Sequence, residues 1–175
     1  MKSKFVKKTL FFVLLYCLLA MNVMAKGVYQ TPEEFLKGVF TEQVPAVQVL
    51  WLSAEDRKNV AGILNHKYNR MRVRYWQKDN DSVWVLNEVG KEKPITIAVH
   101  IHKEAIKQLK VLTFRESRGD EVRHDFFSKQ FTLATLTKDK ALSQHIDGIT
   151  GATLSVRATT KVARLALWLN TKVTL

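Results

Sequence analysis

A short stretch near the carboxyl end, residues 147–155, constrains most strongly what this chain can fold into. It reads Asp-Gly-Ile-Thr-Gly-Ala-Thr-Leu-Ser and comes directly before a segment with helical periodicity. Gly151 removes the steric bar to a tight turn, so the turn can deliver a threonine hydroxyl to the helix start. Backbone N–H groups at a helix start lack intrahelical acceptors. The stretch therefore predicts a site where an anion such as phosphate binds.

The helix predicted after this stretch is amphipathic. Its apolar positions recur at the spacing of one helical face. They are Ala158, Val162, Leu165, Ala166 and Leu169. We expect Ser155 to cap the amino end of this helix. The opposite side carries a basic stripe of Arg157, Lys161 and Arg164, for which a solvated face is the default interpretation. Arg157 is expected in the first turn, where the helix dipole disfavours a cation unless an anion offsets it.

The segment Thr150-Gly151-Ala152-Thr153 resembles the (Ser/Thr)-Gly-Ala-Thr signature of the FMN-binding domain family. That family includes the covalent-flavin subunits of the Rnf and sodium-pumping NADH:quinone oxidoreductase complexes. Its last threonine is esterified to the phosphate of FMN, so the resemblance implies Thr153 as the attachment residue. It also implies a separate flavin transferase that uses FAD and a divalent metal. A threonine hydroxyl is a poor nucleophile, and no histidine or cysteine base stands beside it in the motif.

The rest of the stretch is predicted to surround the attached phosphate. The predicted cofactor-binding residues are Asp147, Gly148, Thr150, Gly151, Ala152, Thr153, Leu154 and Ser155. Asp147 sits where the family usually has an acidic residue. It could present the hydroxyl or contact the transferase, and an Asx turn with backbone N–H groups is the alternative. For the whole motif, the alternative is a Gly-Ala turn before a helix, with Thr153 as an ordinary N-cap.

Residues 111–119 resemble the strand and following loop of the same family, although Ser117 and Arg118 replace its usual Thr-Pro pair. Because that loop lies near the flavin in the family, Glu116 and Gly119 are further candidate cofactor-binding residues. The alternative for Glu116 is a surface ion pair with Arg115 or Arg118.

Three phenylalanines, Phe126, Phe127 and Phe131, resemble the aromatic segment that precedes the motif in the family. Aromatic residues at this spacing usually belong to the core, although one ring could cover a face of the isoalloxazine. The resemblance thus extends over roughly residues 95–169.

The amino end predicts a secretory signal peptide over residues 1–25. Four lysines precede an apolar run from Leu10 to about Met21, and small residues then suit cleavage after Ala25. The run is shorter than the about 20 residues that a spanning helix needs. We therefore expect an FMN-binding domain of residues 26–175 in the periplasm or another extracytoplasmic space. A retained membrane anchor, with the domain outside the cytoplasm, is the alternative.

Cleavage would leave a basic chain without thiols. Cys17 is the only cysteine, so no disulfide is expected, and the bulky Tyr16 before it argues against lipid attachment. Loss of the four lysines lowers the formal net charge from +12 to +8. Such a charge attracts acidic redox partners or anionic lipid headgroups, so association with a membrane surface is a further expectation.

Nucleic acid is excluded as a partner. Arg70, Arg72 and Arg74, followed by Tyr75 and Trp76, resemble a basic-aromatic patch. Export argues against that function. The alternation of the arginines with apolar residues instead indicates a half-buried strand with a solvated outer face.

The pattern along the chain predicts one α+β domain, with a twisted, mostly antiparallel sheet packed with helices. Helices are predicted from the Thr31-Pro32 capping box to about Phe40 and from the Ser53 cap to about His66. The predicted strands are residues 46–52, 70–77, 82–89, 95–102 and 110–116, with a short helical turn at 104–108. The middle three form an antiparallel meander.

Histidines offer little further chemistry. His100 and His102 lie two residues apart on one strand face, and this spacing allows both to bind one metal ion. Glu104 is the only carboxylate or thiol nearby in the sequence that could join them as a ligand. We therefore predict no metal site and an exposed polar face. His66, His124 and His145 are isolated in the sequence and are expected at loops or helix ends.

No nucleotide-binding glycine loop, haem motif or nucleophile-base-acid series occurs, so redox chemistry must come from the cofactor. The predicted function is that of an exported electron-transfer flavoprotein with covalent FMN, more than that of a stand-alone enzyme. Its expected partners are a flavin transferase and membrane or periplasmic redox proteins. The alternatives are an anchored flavin subunit of a membrane redox complex, a flavin-dependent reductase of a terminal acceptor, and a non-redox basic binding module.

Overall fold

A five-stranded antiparallel sheet in the order β1-β2-β3-β4-β5 runs through the structure, a computed structural model that describes residues 27–41 and 43–173. The strands are β1 (Gln48–Trp51), β2 (Arg72–Lys78), β3 (Asp81–Val89), β4 (Pro94–His102) and β5 (Ala105–Thr113). The α-helices of the described part are α1 (Pro32–Val39), α2 (Ala54–Leu64), α3 (Asp125–Ser128) and α4 (Thr153–Asn170). Short 3₁₀ turns lie at Asp120–Arg123 and Lys129–Phe131. The predicted α+β class and antiparallel meander are confirmed.

The period-2 alternation of the central strands sends alternate side chains to opposite faces of the sheet. One face carries the main core, in which Trp84 pairs across the strands with Val99 and Leu86 with Ile97. Helices α2 and α4 contact this face and each other. The opposite face is only partly covered, because α1 packs there over Val83, Ala98 and Leu112. The sheet is therefore buried fully on one face and partly on the other.

The first two helices begin as their sequences predict. Thr31 and Glu34 form a reciprocal capping box at α1, and Ser53 and Asp56 form another at α2. Helix α2 stops at Leu64, earlier than predicted, because Asn65 adopts a left-handed conformation with φ of 55°. Local side-chain-to-backbone hydrogen bonds thus set these helix starts.

The last strand differs from its prediction. A single strand, β5, replaces the helical turn at residues 104–108 and the strand at 110–116. His102 pairs with Ala105 across a tight turn in which Lys103 has φ of 57°. Two register shifts between β4 and β5 interrupt the alternation of buried residues, which is why the sequence pattern did not reveal one continuous strand.

Antiparallel order brings five strand termini to one end of the sheet. They are the ends of β1, β3 and β5 and the starts of β2 and β4. Asn170, at the end of α4, lies at the opposite end. It accepts a hydrogen bond from Ser82 Oγ at 2.6 Å and donates to the Lys103 carbonyl at 2.8 Å. Helix α4 is therefore fixed to the sheet at its carboxyl end by buried polar contacts.

A buried carboxylate joins three elements of the main core. The Glu88 side chain on β3 is 4% exposed, and its oxygens lie 3.0 Å from His66 Nε2 and 3.3 Å from Lys161 Nζ. The hydrogen bond with Glu88 raises the pKa of His66. The expectation that His66 is isolated was thus wrong. The expectation that the basic stripe of α4 is solvated was wrong for two of its three residues. Lys161 pairs inward and Arg164 donates to the Lys140 carbonyl, while Arg157 remains exposed.

The two histidines of β4 meet a carboxylate that the sequence did not place beside them. Asp81 Oδ1 lies 2.5 Å from His100 Nε2 and 3.1 Å from His102 Nδ1, because Asp81 is the cross-strand partner of His102. His100 is buried, which lowers its pKa, so the expected exposed polar face was wrong there. Among residues 27–41 and 43–173, no group of three or more His, Cys, Asp or Glu side chains is arranged to hold a metal ion.

The outer face of β2 is as predicted, with Arg72 and Arg74 exposed and Val73 and Tyr75 buried. Met71 lies just before the strand and is 57% exposed, which the alternation did not predict. The predicted signal peptide lies outside the described residues. Within the described part, no helix is long and apolar enough to cross a membrane.

Replacing Asn170 with alanine is expected to destabilise the fold by about 1–3 kcal/mol, because it leaves the buried Ser82 hydroxyl and the Lys103 carbonyl without their partner. Denaturant unfolding of this variant measures the effect. The control is Asn69→Ala in the exposed loop before β2, which should change stability by less than about 0.5 kcal/mol. Equal effects of the two substitutions would contradict the anchoring role of Asn170.

The His66–Glu88 contact predicts a pH-dependent part of the stability. Because the folded-state pKa of His66 is raised, protonated His66 stabilises the fold fully below its unfolded pKa of about 6.5. This stabilisation is lost as pH rises through the folded-state pKa. The free energy of unfolding, measured for wild type and His66→Gln from pH 5 to 9, should therefore differ most at the acidic end. A difference that is constant with pH would refute this linkage.

Candidate functional site

Helix α4 begins at the threonine of the 147–155 stretch. Thr153 is its first residue, and Ala152 precedes it as the N-cap with φ of −113° and no side-chain cap. The prediction that Ser155 caps this helix was therefore wrong, since Ser155 lies within the first turn and is buried. Unlike α1 and α2, which both start with capping boxes, α4 leaves its first N–H groups without a side-chain acceptor.

A tight turn delivers the chain to this helix start. The Ala152 N–H donates to the Ile149 carbonyl at 3.0 Å, with Thr150 and Gly151 between them. Gly151 has φ of +83°, a conformation that the third residue of a type II turn requires and that glycine adopts without strain. Ile149 packs against the main core and holds the turn in place. Thr150 and Gly151 consequently stand exposed beside Thr153.

Thr153 presents its hydroxyl at the amino end of the helix dipole. The residue is exposed, and its hydroxyl has no hydrogen-bond partner within residues 27–41 and 43–173. The first turn of α4 contains no acidic residue. The backbone N–H groups there carry partial positive charge that no carboxylate offsets. This local field favours an anion bound at or attached to Thr153.

The loop after β5 packs directly on the start of α4. A Cβ atom added at Gly119 would lie 2.6 Å from Ser155 Oγ and 3.4 Å from the Ala152 Cβ. Gly119 also has φ of +88°, so both the space and the backbone conformation require glycine. The two segments that the sequence singled out separately, the 116–119 loop and the 147–155 stretch, are therefore in contact.

Glu116 fixes the same loop from its other side. Its Oε1 accepts hydrogen bonds from the backbone N–H groups of Lys91, Glu92 and Lys93 at 2.6, 2.7 and 2.9 Å. Burial alone would raise the pKa of Glu116, but these three donors hold it below its usual value. Within the described residues, Glu116 does not form the alternative ion pair with Arg115 or Arg118. Glu116 ties the turn between β3 and β4 to the loop that supports Ser155.

Asp147 and Gly148 lie exposed before the turn. The Asp147 N–H donates to Gln130 Oε1 at 2.7 Å, and its carboxylate lies 3.5 Å from His145 Nε2. In the part of the chain that the structure describes, no backbone N–H donates to the Asp147 carboxylate, so the alternative of an Asx turn is not formed. Gln130, which the sequence did not single out, holds this loop through a contact 17 residues away along the chain.

The structure separates the three candidate phenylalanines. Phe127 and Phe131 are fully buried and contact each other edge to face, with ring centroids 5.4 Å apart. Phe126 is 62% exposed and stacks with His124 at a centroid distance of 6.2 Å. Only Phe126 of the three has a ring free to contact a flavin. Leu154, next to Thr153, is also exposed at 42%.

A cluster that the sequence did not predict follows Gly119. Tyr29 donates from its hydroxyl to Asp120 Oδ2 at 3.3 Å, and the Arg123 guanidinium lies 4.7 Å from the Tyr29 ring centroid. Arg123 also donates to the same carboxylate oxygen at 3.2 Å. Tyr29 comes from the segment that pairs with the end of β5, far from Asp120 in sequence, so no local pattern signals this contact.

The residues at the start of α4 fit the phosphate of FMN. The Thr153 hydroxyl is exposed, the first helical turn is uncapped and free of acids, and Gly151 leaves open space beside the turn, since nothing lies within 4 Å of a Cβ placed there. Backbone donors at a helix start and an adjoining glycine are suited to a phosphate group. Side chains of the motif itself contribute little, because Ser155 packs under Gly119 and Ala152 is buried.

Substituting Gly119 with alanine is expected to destabilise the domain by more than about 1 kcal/mol, since a Cβ would contact Ser155 Oγ at 2.6 Å with a left-handed backbone. Gly148→Ala is the matched control, because nothing lies within 4 Å of its Cβ position and its backbone is not left-handed. Thermal unfolding of both variants measures the difference. Equal melting temperatures for the two would show that Gly119 does not lock the loop to α4.

The candidate site lies within a region that matches a known protein family. The model of the FMN-binding domain family matches residues 90–167, a range that contains Glu116, Gly119 and the entire 147–155 stretch. No curated protein and no solved structure matches the chain. The resemblance carried by Thr150-Gly151-Ala152-Thr153 is thus supported over residues 90–167, which include the turn between β3 and β4 that Glu116 holds. Residues 90–167 of this chain belong to the FMN-binding domain family, and the protein is a flavin-binding protein with FMN as its cofactor.

Proposed function

We propose that the protein is an exported electron-transfer flavoprotein that carries FMN through a phosphoester to Thr153. The observation that carries this proposal is the exposed Thr153 hydroxyl at the uncapped, acid-free start of α4. The bound isoalloxazine would supply the redox chemistry, since the sequence contains no CxxC or CxxCH motif. The chain itself would hold, orient and retain the flavin.

Attachment would exchange the phosphoanhydride bond of FAD for a phosphoester bond to threonine. The Thr153 oxygen would bond to the phosphorus of the FMN half of FAD, the pyrophosphate bond would break, and AMP would leave. The hydroxyl proton needs an acceptor. Neither Ser155, buried under Gly119, nor Asp147, whose carboxylate faces His145, contacts the Thr153 hydroxyl. A separate flavin transferase would therefore supply the base and the divalent metal.

After attachment, the phosphate would lie against the first N–H groups of α4. Gly151 leaves room for it beside the turn, and the helix dipole stabilises its remaining charge. Gly119 and Glu116 would support the flavin indirectly, because they position the start of α4 and offer no free polar group to the ligand. Leu154 and Phe126 are the exposed apolar side chains that we assign to contact with the flavin ring.

The covalent bond suits a protein that works outside the cytoplasm, where no cytosolic pool could replace a lost flavin. The lysines and apolar run of residues 1–25 support export. Electron exchange with membrane or periplasmic redox proteins follows as the proposed role. The chain is then a carrier or relay whose partners supply the substrates.

Thr153→Val, coexpressed with a flavin transferase, is expected to abolish covalent flavin, because valine keeps the shape of threonine but lacks its hydroxyl. In-gel flavin fluorescence after denaturation and the intact mass measure attachment. Thr132→Val is the matched control, since Thr132 is also exposed but lies outside the 147–155 stretch, and it should retain flavin. Flavin that persists on Thr153→Val, or wild type that never acquires it, would overturn the proposal.

A further inference from the structure

One half of the outer sheet face carries exposed apolar and basic side chains together. Helix α1 packs over β3, β4 and β5 and its cluster reaches Trp76 on β2, whereas the half over β1 and the start of β2 is left open. We call the open half the β1–β2 patch. Its residues on the outer face are Val49, Trp51, Arg72, Arg74 and Val89, and the exposed Met71 lies next to them, just before β2. Trp51 is 65% exposed, Met71 57% and Val89 50%, so these large apolar groups face solvent.

The register of the strands interleaves the two kinds of side chain. Val49 lies directly across from Arg74, and Trp51 lies directly across from Arg72. Within the described residues, neither arginine forms an ion pair with a carboxylate, and the same holds for Arg70 just before the strand. The guanidinium groups are therefore free to bind anions beside exposed tryptophan and valine.

Basic residues outnumber acidic residues around the patch. Further basic residues line the same open cleft, namely Lys67, Arg70 and Arg115. The acidic residues there are Glu33 on α1 and Glu88, whose carboxylate is already bound to His66 and Lys161. An occupant of this surface must consequently be negatively charged and must also present apolar groups to Trp51, Met71 and Val89.

The patch reaches the same end of the sheet as the FMN site. Trp51 ends β1, Arg72 begins β2 and Val89 ends β3, all at the end where Glu116 binds the turn between β3 and β4. The first described residue, Gly27, also lies there, because its carbonyl accepts from the Phe114 N–H just after β5. A surface bound to the patch would thus meet the end of the domain that carries Thr153.

We propose that the β1–β2 patch docks onto an anionic lipid membrane. Tryptophan is favoured at the boundary between headgroups and acyl chains, while arginine reaches phosphate groups with its apolar stem alongside. A second copy of the chain fits poorly, because Arg72 and Arg74 would face like charges. Single protruding apolar residues at strand ends suit shallow insertion into lipid better than they suit a closely packed protein interface. The proposal does not depend on how FMN is attached.

The test is tryptophan fluorescence of the full chain with vesicles whose acyl chains are brominated. All four tryptophans lie at positions 51, 76, 84 and 168, and residues 1–26 contain none, so quenching does not report on the amino-terminal segment. Vesicles of phosphatidylglycerol mixed with phosphatidylcholine should quench the emission, whereas phosphatidylcholine alone should quench it far less. Trp51→Phe should remove at least roughly half of the quenching, because Trp51 is the most exposed tryptophan.

Matched variants separate docking from general charge and from loss of any tryptophan. Arg72→Glu with Arg74→Glu should weaken quenching roughly tenfold in lipid titrations. Lys58→Glu with Lys138→Glu changes the net charge equally at exposed positions outside the patch and should leave quenching unchanged. Trp168→Phe removes a buried tryptophan of α4 and should also leave it unchanged.

Several results would overturn the proposal. Quenching that is equal for anionic and neutral vesicles, or that survives Trp51→Phe, would show that the patch does not contact lipid. Absence of quenching in every vesicle would leave an acidic protein as the occupant. A lipid-free dimer that Arg72→Glu with Arg74→Glu dissociates in sedimentation velocity would identify a second copy as the occupant instead.

Discussion

The close approach of Gly119 to Ser155 is the contact on which the rest of the site depends. It allows the loop after β5 to lie against the first turn of α4, where even a methyl group would come within 2.6 Å of Ser155 Oγ. Glu116 holds that loop to the turn between β3 and β4 through three backbone donors. The start of α4 is thus fixed by tertiary contacts, and no side-chain cap is needed there. Its N–H groups stay available to a phosphate.

Helix α4 links this site to the body of the protein. At its far end Asn170 binds Ser82 and the Lys103 carbonyl, and midway Lys161 reaches the buried carboxylate of Glu88. These polar contacts, together with the apolar stripe that packs on the sheet, fix the rotation and position of the helix. A rigid helix presents Thr153 in one orientation, as the proposed covalent attachment of a flavin would require.

The sequence predicted the parts of this arrangement that local chemistry determines. Capping boxes located α1 and α2, alternation located most strands, and the Thr-Gly-Ala-Thr segment indicated the family. The role of Thr153 as the attachment residue stays a prediction. It could not predict that Ser155 is buried under Gly119, because that contact joins residues 36 positions apart. For the same reason it missed the partners of Glu88 and the position of Asp81 beside His100. The register shifts between β4 and β5 likewise concealed the true start of β5.

The most direct test of the central claim locates the flavin on the chain. Trypsin cuts after Lys140 and Arg157, so one peptide of residues 141–157 contains Thr150, Thr153 and Ser155 together. Fragmentation mass spectrometry of this peptide, from protein coexpressed with a flavin transferase, assigns the modified hydroxyl. We expect FMN phosphate on Thr153 alone. Flavin on Thr150 or Ser155, or an unmodified peptide, would contradict it.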